Sequence, residues 1–210
     1  IEAGGLCKGY GGPPVFEDVG FDLGRGERLL VLGLNGAGKT SLLRILAGET
    51  DADLGHFEFG YHVVPGYYAQ EHDNLDVAAT LLDNIRSEVP SDVQLTETEL
   101  RGLLGMFGLS GEKVFQDAGS LSGGEKTKLA LAMLMVGRNN LLLLDEPTNN
   151  LDPPSREAVA NALKGWPGSI IFVSHDTEFV TELAPTKVLL LPDGDLDYFS
   201  DDWLELVSLA

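Results

Sequence analysis

Apolar residues along the chain fall into short runs and spaced stripes, which predict alternating strands and helices. Three short runs, Leu29–Leu32, Leu141–Leu144 and Ser169–Val173, have the near-continuous hydrophobicity of strands buried on both faces. Apolar residues recur at helical spacing in four other segments, 42–46, 76–88, 96–108 and 128–136. Thr96, followed three residues later by Glu99, predicts a capping box at the start of the third of these segments. The pattern therefore predicts an α/β fold with a mainly parallel sheet at its core.

The remaining segments predict a smaller antiparallel β region and a group of inserted helices. Residues 1–32 read as short β-segments joined by glycine turns, 51–66 as a small hairpin, and 187–195 as a closing hairpin. A terminal helix is expected over 201–209. The helices between the first and second buried strands suggest a helical subdomain at about 73–137 within a single domain, 1–210.

Length and composition narrow the class of protein. A chain of 210 residues can bury a full core and suits one domain. Its longest apolar runs fall far short of a membrane span, and no signal peptide is visible. The single cysteine, Cys7, allows no internal disulfide. We therefore expect a cytoplasmic protein without direct membrane insertion, and the start at Ile1 inside a predicted strand suggests a piece of a longer chain.

The charge of the chain is strongly negative. It has 33 acidic and 14 basic residues, for a formal net charge of −19. An acidic body repels nucleic-acid phosphate, so contact with nucleic acid is not expected through this surface.

A glycine-rich segment follows the first buried strand and is the clearest chemical signal. Gly33, Gly38, Lys39 and Thr40 fit the phosphate-loop pattern G-x-x-x-x-G-K-[ST]. Backbone amides and the helix N-terminus would hold the phosphates of ATP, Lys39 would reach the β- and γ-phosphates, and Thr40 would ligate Mg²⁺. The predicted ATP-binding residues of this loop are Asn35, Gly36, Ala37, Gly38, Lys39, Thr40 and Ser41. The alternative is a glycine-rich turn that binds no ligand.

Polar side chains end the other two buried strands. Asp145 and Glu146 follow the second strand, where two adjacent carboxylates are costly unless they bind something. Asp145 suits Mg²⁺, and Glu146 could polarise an attacking water. His175 follows the third strand, from which its side chain could reach a γ-phosphate. In an open α/β sheet, ligands bind at this carboxyl edge.

Three further motifs gain meaning only from their combination. Ser122 and Glu125 form a capping box, while Gly123 and Gly124 would let a phosphate approach the start of the helix. Tyr10 stands ahead of the phosphate loop, where it could stack on adenine or simply pack on the sheet. Gln70 on its own is an ordinary loop amide.

In their order along the chain, these motifs resemble the nucleotide-binding domain of ABC ATPases. The resemblance implies that Tyr10 stacks on adenine, that Gln70 senses Mg²⁺ and the attacking water, and that Glu146 is the general base. It also implies that His175 contacts the γ-phosphate. Residues Ser122, Gly123, Gly124 and Glu125 would bind a nucleotide held by a second ABC domain, which Asp152 would also contact.

Finer details resemble the ABC-F subfamily of soluble tandem ATPases that act on the ribosome. LSGGEKTKLALA and LDEPTNNLD are similar to that subfamily's motifs, with Asn150 in place of a usual histidine and Thr177 in place of a common arginine. The closing segment resembles the tail of actinobacterial members. The resemblance implies the C-terminal half of a tandem protein, with the ribosome as partner and a role in translation or antibiotic resistance.

Two other functions compete with this interpretation. The chain could be the ATP-binding subunit of a membrane transporter, such as a drug exporter, and the stretch before LSGGEK does not decide the question. A chromosome-maintenance head is disfavoured, because too few residues separate the phosphate loop from LSGGEK to form a long coiled coil.

Overall fold

The computed structural model describes residues 1–69 and 75–208. Within these ranges, the strands are β1 (Glu2–Lys8), β2 (Phe16–Asp22), β3 (Arg28–Leu32), β4 (Leu54–Glu58), β5 (Pro65–Tyr68), β6 (Leu141–Asp145), β7 (Ser169–Val173), β8 (Lys187–Leu190) and β9 (Asp195–Tyr198). The helices are α1 (Lys39–Leu46), α2 (Leu81–Ser87), α3 (Glu97–Met106), α4 (Gly123–Val136), α5 (Pro153–Lys164), α6 (Thr177–Leu183) and α7 (Leu204–Val207). No helix in the described part is long and apolar enough to cross a membrane.

A six-stranded sheet forms the centre of the protein. Its strand order is β5-β6-β7-β3-β8-β9, and all neighbours are parallel except β9, which runs antiparallel to β8. Every residue of β6 and β7 is buried, as the continuous apolar runs predict. The predicted α/β class with a mainly parallel sheet is confirmed.

A separate three-stranded antiparallel sheet has the order β2-β1-β4. The hairpin predicted over 51–66 is wrong, because the two strands of this segment belong to different sheets. β4 pairs with β1, whereas β5 pairs in parallel with β6. Alternation marks each strand as half-buried but carries no information about its pairing partner.

Capping residues set where several helices begin. Thr96 and Ser122 form the predicted capping boxes at α3 and α4. The stripe predicted over 76–88 is helical only from Leu81, and Val77 lies outside the helix with 57% of its surface exposed. The buried Asn84 amide explains this start, since it donates to the carbonyls of residues 76, 79 and 80 and holds them in a turn.

The predicted terminal helix is a 3₁₀ turn over residues 201–203 followed by α7.

The six-stranded sheet lies between two hydrophobic cores. Leu142, Leu144 and Phe172 face a core shared with α2 to α6, whereas Leu141 and Leu143 face one shared with α1 and the three-stranded sheet. Successive strand residues point to opposite faces, so both faces of the sheet are covered. The carboxyl ends of β3, β6 and β7 are then left to carry polar side chains at one edge.

Candidate functional site

The phosphate loop occupies the turn between β3 and α1, as predicted. Gly33, Gly36 and Gly38 all have positive φ, at 150°, 88° and 93°. A Cβ on Gly33 would lie 2.6 Å from the Leu191 carbonyl oxygen, and one on Gly38 would lie 2.7 Å from the Phe16 ring. These two positions therefore require glycine for space as well as for backbone conformation.

The N-terminus of α1 opens directly out of this loop. Gly38 is its N-cap and supplies no side-chain hydrogen bond to the first turn. Helix N–H groups in this situation, together with the helix dipole, favour an anion. The loop over residues 33–38 and the start of α1 therefore form a backbone cradle suited to phosphate.

Lys39 lies inside the cradle. Its ammonium group donates to the carbonyl of Gly33 and lies 3.4 Å from that of Leu34. Burial lowers the pKa of Lys39, while the carboxylates of Glu146 and Asp145 partly oppose this effect. The lysine is a buried cation beside two acids, and a phosphate would provide a further counter-charge.

Asp145 and Thr40 meet at the end of β6. Burial raises the pKa of Asp145, and the interaction of its carboxylate with the Thr40 hydroxyl partly opposes this effect. Among the described residues, no three His, Cys, Asp or Glu side chains could hold a metal together. One carboxylate and one hydroxyl suit Mg²⁺, which is usually bound by one or two carboxylates together with substrate phosphates. The residues present fit an ATP-bound Mg²⁺.

Glu146 lies next to Asp145 in a strained and buried position. Its φ is 51°, and only 6% of the residue is exposed. Burial raises the pKa of Glu146 to about 7, despite the hydrogen bond that Oε2 accepts from the His175 backbone N–H at 3.3 Å. A general base works best with a pKa near the working pH, so this environment suits a carboxylate that deprotonates water.

His175 follows β7 and faces the same carboxylate. Its Nε2 lies 2.6 Å from Glu146 Oε1, yet the two are not aligned for a hydrogen bond, and Oε1 accepts none from the described residues. Burial lowers the pKa of His175, and Lys39 lowers it further. A buried carboxylate oxygen without a donor is costly unless a ligand pairs with it. Oε1 is therefore open to pairing with a water or phosphate group bound beside the two side chains.

Tyr10 lies in the loop between β1 and β2, close to α1. Its hydroxyl is 3.0 Å from the Ser41 Oγ, and 65% of the residue is exposed. The structure therefore brings Tyr10 to the phosphate loop and leaves much of its ring open, as stacking on a base would require.

The signature residues, Ser122–Glu125, form a separate group at the start of α4. Ser122 and Glu125 complete their capping box, and Lys113 forms an ion pair with Glu125 and lowers its pKa. Within the described ranges, no hydrogen bond or ion pair connects this group to the phosphate loop. Asp152 caps α5 by accepting from the Ser155 N–H at 3.3 Å, and bonding to Ser155 lowers its pKa.

Gln70, predicted to sense Mg²⁺ and water, lies outside the described residues. Asp53 is a residue that the sequence reasoning missed: it binds the loop that carries Tyr10, through the Gly9 N–H and the Lys8 ammonium group. No local signal could have found this contact, because the partners are more than forty positions apart.

Comparison with known proteins identifies the family. A sequence profile described as ABC transporter matches residues 16–149, from the start of β2 to beyond the paired carboxylates. This chain belongs to the ABC transporter family. It is an ATP-binding ABC domain, and the phosphate loop and paired acids described above lie inside the matched region.

Relatives agree with this assignment, and a solved structure shares the fold. The ABC domain is 43% identical to YdiF of Bacillus subtilis (strain 168), and the matched region covers 94% of this chain and 31% of YdiF. It is 36% identical to YheS of Escherichia coli (strain K12), with coverage of 97% and 32%. Both are named as ATP-binding proteins, and the chain thus spans about a third of each. A dimeric bacterial ABC transporter cassette, MJ0796, shares the fold, with a TM-score of 0.80 at 18% identity over 95% of this chain and 98% of that one.

Alanine substitutions at the two signature glycines of the ABC domain should differ in their effect on stability. A Cβ on Gly123 meets open space, whereas one on Gly124 would lie 3.1 Å from Leu151 Cδ2 and 3.4 Å from the Asn150 carbonyl oxygen. We expect Gly123→Ala to stabilise the domain by about 0.5 kcal/mol through helix propensity, and Gly124→Ala to lose that gain to the close contact. Urea denaturation of both variants measures the difference in the free energy of unfolding. Equal stabilisation would show that residues 150–151 move aside at no cost and that the close contact does not matter.

Proposed function

We propose that this ABC domain hydrolyses ATP with Mg²⁺, and that Glu146 is the general base. The observation that carries the proposal is the buried Glu146 carboxyl at the end of β6, with a pKa raised to about 7 and Oε1 facing His175. Lys39 and the loop amides would hold the phosphates, and Thr40 and Asp145 would hold Mg²⁺. The metal would neutralise phosphate charge, while Glu146 orients and deprotonates the water and His175 contacts the γ-phosphate.

The proposal includes a second ABC domain that completes the site. Within the described ranges, Ser122–Glu125 and Asp152 form no hydrogen bond or ion pair with the phosphate loop of their own chain. The ligand that the family resemblance assigns to them is a nucleotide held by a second domain. The dimeric cassette with the same fold supports such pairing. A further structure with this fold is titled as a post-hydrolysis state of the same cassette with ADP and phosphate, again as a dimer.

We further propose that the parent protein is a tandem ABC-F ATPase that acts on the ribosome, with this domain as its C-terminal half. Support comes from the LSGGEKTKLALA and LDEPTNNLD segments and from relatives about three times as long as the chain. The transporter alternative is supported by YkpA of Bacillus subtilis (strain 168), which is 36% identical and is named as an ABC transporter ATP-binding protein.

Co-sedimentation of the full-length parent protein tests the ribosomal role. We expect the protein to sediment with ribosomes when ATP is present, and the Lys39→Ala variant to do so less, because closure on ATP needs phosphate binding. Quantitative blotting of the ribosome pellet and of the membrane fraction gives the measurement. Stable recovery with a membrane permease, and none with ribosomes, would establish the transporter function instead.

A further inference from the structure

The loop that carries Tyr10 is tied to strand β4 by one side chain. Asp53, just before β4, accepts a hydrogen bond from the Gly9 N–H through Oδ2 at 2.7 Å. Its other oxygen, Oδ1, pairs with the Lys8 ammonium group at 3.1 Å. The Asp53 N–H also donates to the Cys7 carbonyl at 2.9 Å, which fixes where its own side chain begins. Asp53 thus binds the last residue of β1 and the first residue of the loop.

Lys8 extends this contact to the tyrosine ring. The lysine is buried, its ammonium group donates to the Asp51 carbonyl at 2.8 Å, and it lies 5.3 Å from the centre of the Tyr10 ring. At this distance a cation and an aromatic face attract each other. The Asp53 carboxylate therefore positions the Lys8 ammonium group, which in turn contacts one face of the Tyr10 ring.

The loop has little else to order it. Residues 9–14 are Gly-Tyr-Gly-Gly-Pro-Pro, and they form no helix or strand. Glycines lose the most backbone freedom when a segment becomes fixed, so an ordered conformation here needs tethers. Within the described ranges, three sets of contacts act as tethers. They are the contact between the Tyr10 and Ser41 hydroxyls, the Asp53 contacts with Lys8 and Gly9, and the hydrogen bond from the Val15 N–H to the Lys8 carbonyl.

We propose that Asp53 is a positioning residue for the nucleotide base: it places the Tyr10 ring so that an adenine can stack on it. The inference rests on the proposed ATP-binding function and on the stacking of Tyr10 on adenine that the family resemblance implies. Asp53 does not touch the nucleotide. Its removal should weaken binding of the base and leave binding of the phosphates to residues 33–41 unchanged.

Calorimetric titration of the chain with ATP and with inorganic tripolyphosphate, both with Mg²⁺, separates the two contributions. For Asp53→Ala we expect about tenfold weaker ATP binding, a typical loss when an aromatic–base stack is removed, and unchanged tripolyphosphate binding. Asp53→Asn keeps an acceptor for the Gly9 N–H and should recover part of the ATP affinity. Glu58→Ala, an exposed acid at the far end of β4, is the matched control and should bind both ligands as the unchanged chain does.

A double variant shows whether Asp53 acts through the tyrosine. Tyr10→Ala alone should weaken ATP binding as Asp53→Ala does, and Asp53→Ala should add no further loss to it. Additive losses, or parallel loss of tripolyphosphate binding, would overturn the positioning role. If Tyr10→Ala weakens ATP binding and Asp53→Ala does not, this inference fails while the proposed function stands. If neither the unchanged chain nor any variant binds ATP, the proposed function itself fails.

Discussion

Lys39→Ala is expected to weaken ATP binding by about ten- to a hundredfold while the domain stays folded. A hydrogen bond to a charged group contributes roughly 1.5–3 kcal/mol, and each 1.4 kcal/mol is a factor of ten in affinity. Lys39 lies among the carbonyls of the phosphate loop and beside two acids, so its ammonium group is a cation inside the proposed phosphate site. Isothermal titration calorimetry with Mg²⁺ and ATP gives the affinity.

The fold must be checked alongside the affinity, because the lysine is buried. Lys164→Ala is a charge-matched control, since Lys164 lies at the end of α5 in an exposed ion pair with Glu182. It should bind ATP as the unchanged chain does. Circular dichroism and thermal melting of both variants test folding. A Lys39→Ala variant that is folded and keeps full affinity would remove Lys39 from the phosphate site.

Glu146→Gln is expected to slow ATP hydrolysis by about 10²–10⁴-fold and to leave ATP binding intact. Glutamine keeps the shape of the side chain and an oxygen that can accept from the His175 N–H, but it cannot deprotonate water. The measurement is phosphate release by the full-length protein with both ABC domains present, compared with ATP affinity. Glu157→Gln on α5, an exposed acid away from the site, is the control and should hydrolyse ATP normally.

The same substitution tests the coupling between hydrolysis and release. If hydrolysis reopens the paired domains, the full-length Glu146→Gln protein should remain closed on ATP, accumulate on ribosomes and slow translation in a cell-free assay. Loss of ATP affinity together with activity would instead make Glu146 structural or a metal ligand. A normal rate of phosphate release would exclude it from the mechanism.

Features that depend on neighbours in sequence could be read directly. The capping boxes at Thr96 and Ser122 and the phosphate loop over residues 33–40 are local hydrogen-bond and backbone patterns, and the structure has them where they were predicted. The buried strands β6 and β7 were equally readable, because a strand covered on both faces is apolar at every position. Their carboxyl ends then brought Asp145, Glu146 and His175 to one edge.

Features that depend on distant residues were missed or misread. Val77 fits a helical stripe, yet the Asn84 amide holds the carbonyls of residues 76 and 80 in a turn, so the helix begins only at Leu81. Arg28 gave no signal, but its guanidinium donates to the carbonyls of residues 163, 164 and 183 at the ends of α5 and α6. Burial lowers the pKa of Arg28. Such contacts satisfy helix-end carbonyls that the sequence alone leaves without a partner.

The sequence by itself determined the fold class, the phosphate-loop motif and the position of Asp145, Glu146 and His175 after buried strands, since these follow from local periodicity and spacing. Only the tertiary structure decided the assignment of β4 and β5 to different sheets, the approach of Glu146 to His175 and the attachment of the Tyr10 loop to Asp53. The physical reason is that strand pairing, burial and long-range hydrogen bonds depend on which surfaces the folded chain brings together. The raised pKa of Glu146 has the same origin, because desolvation exists only once the surrounding elements have packed.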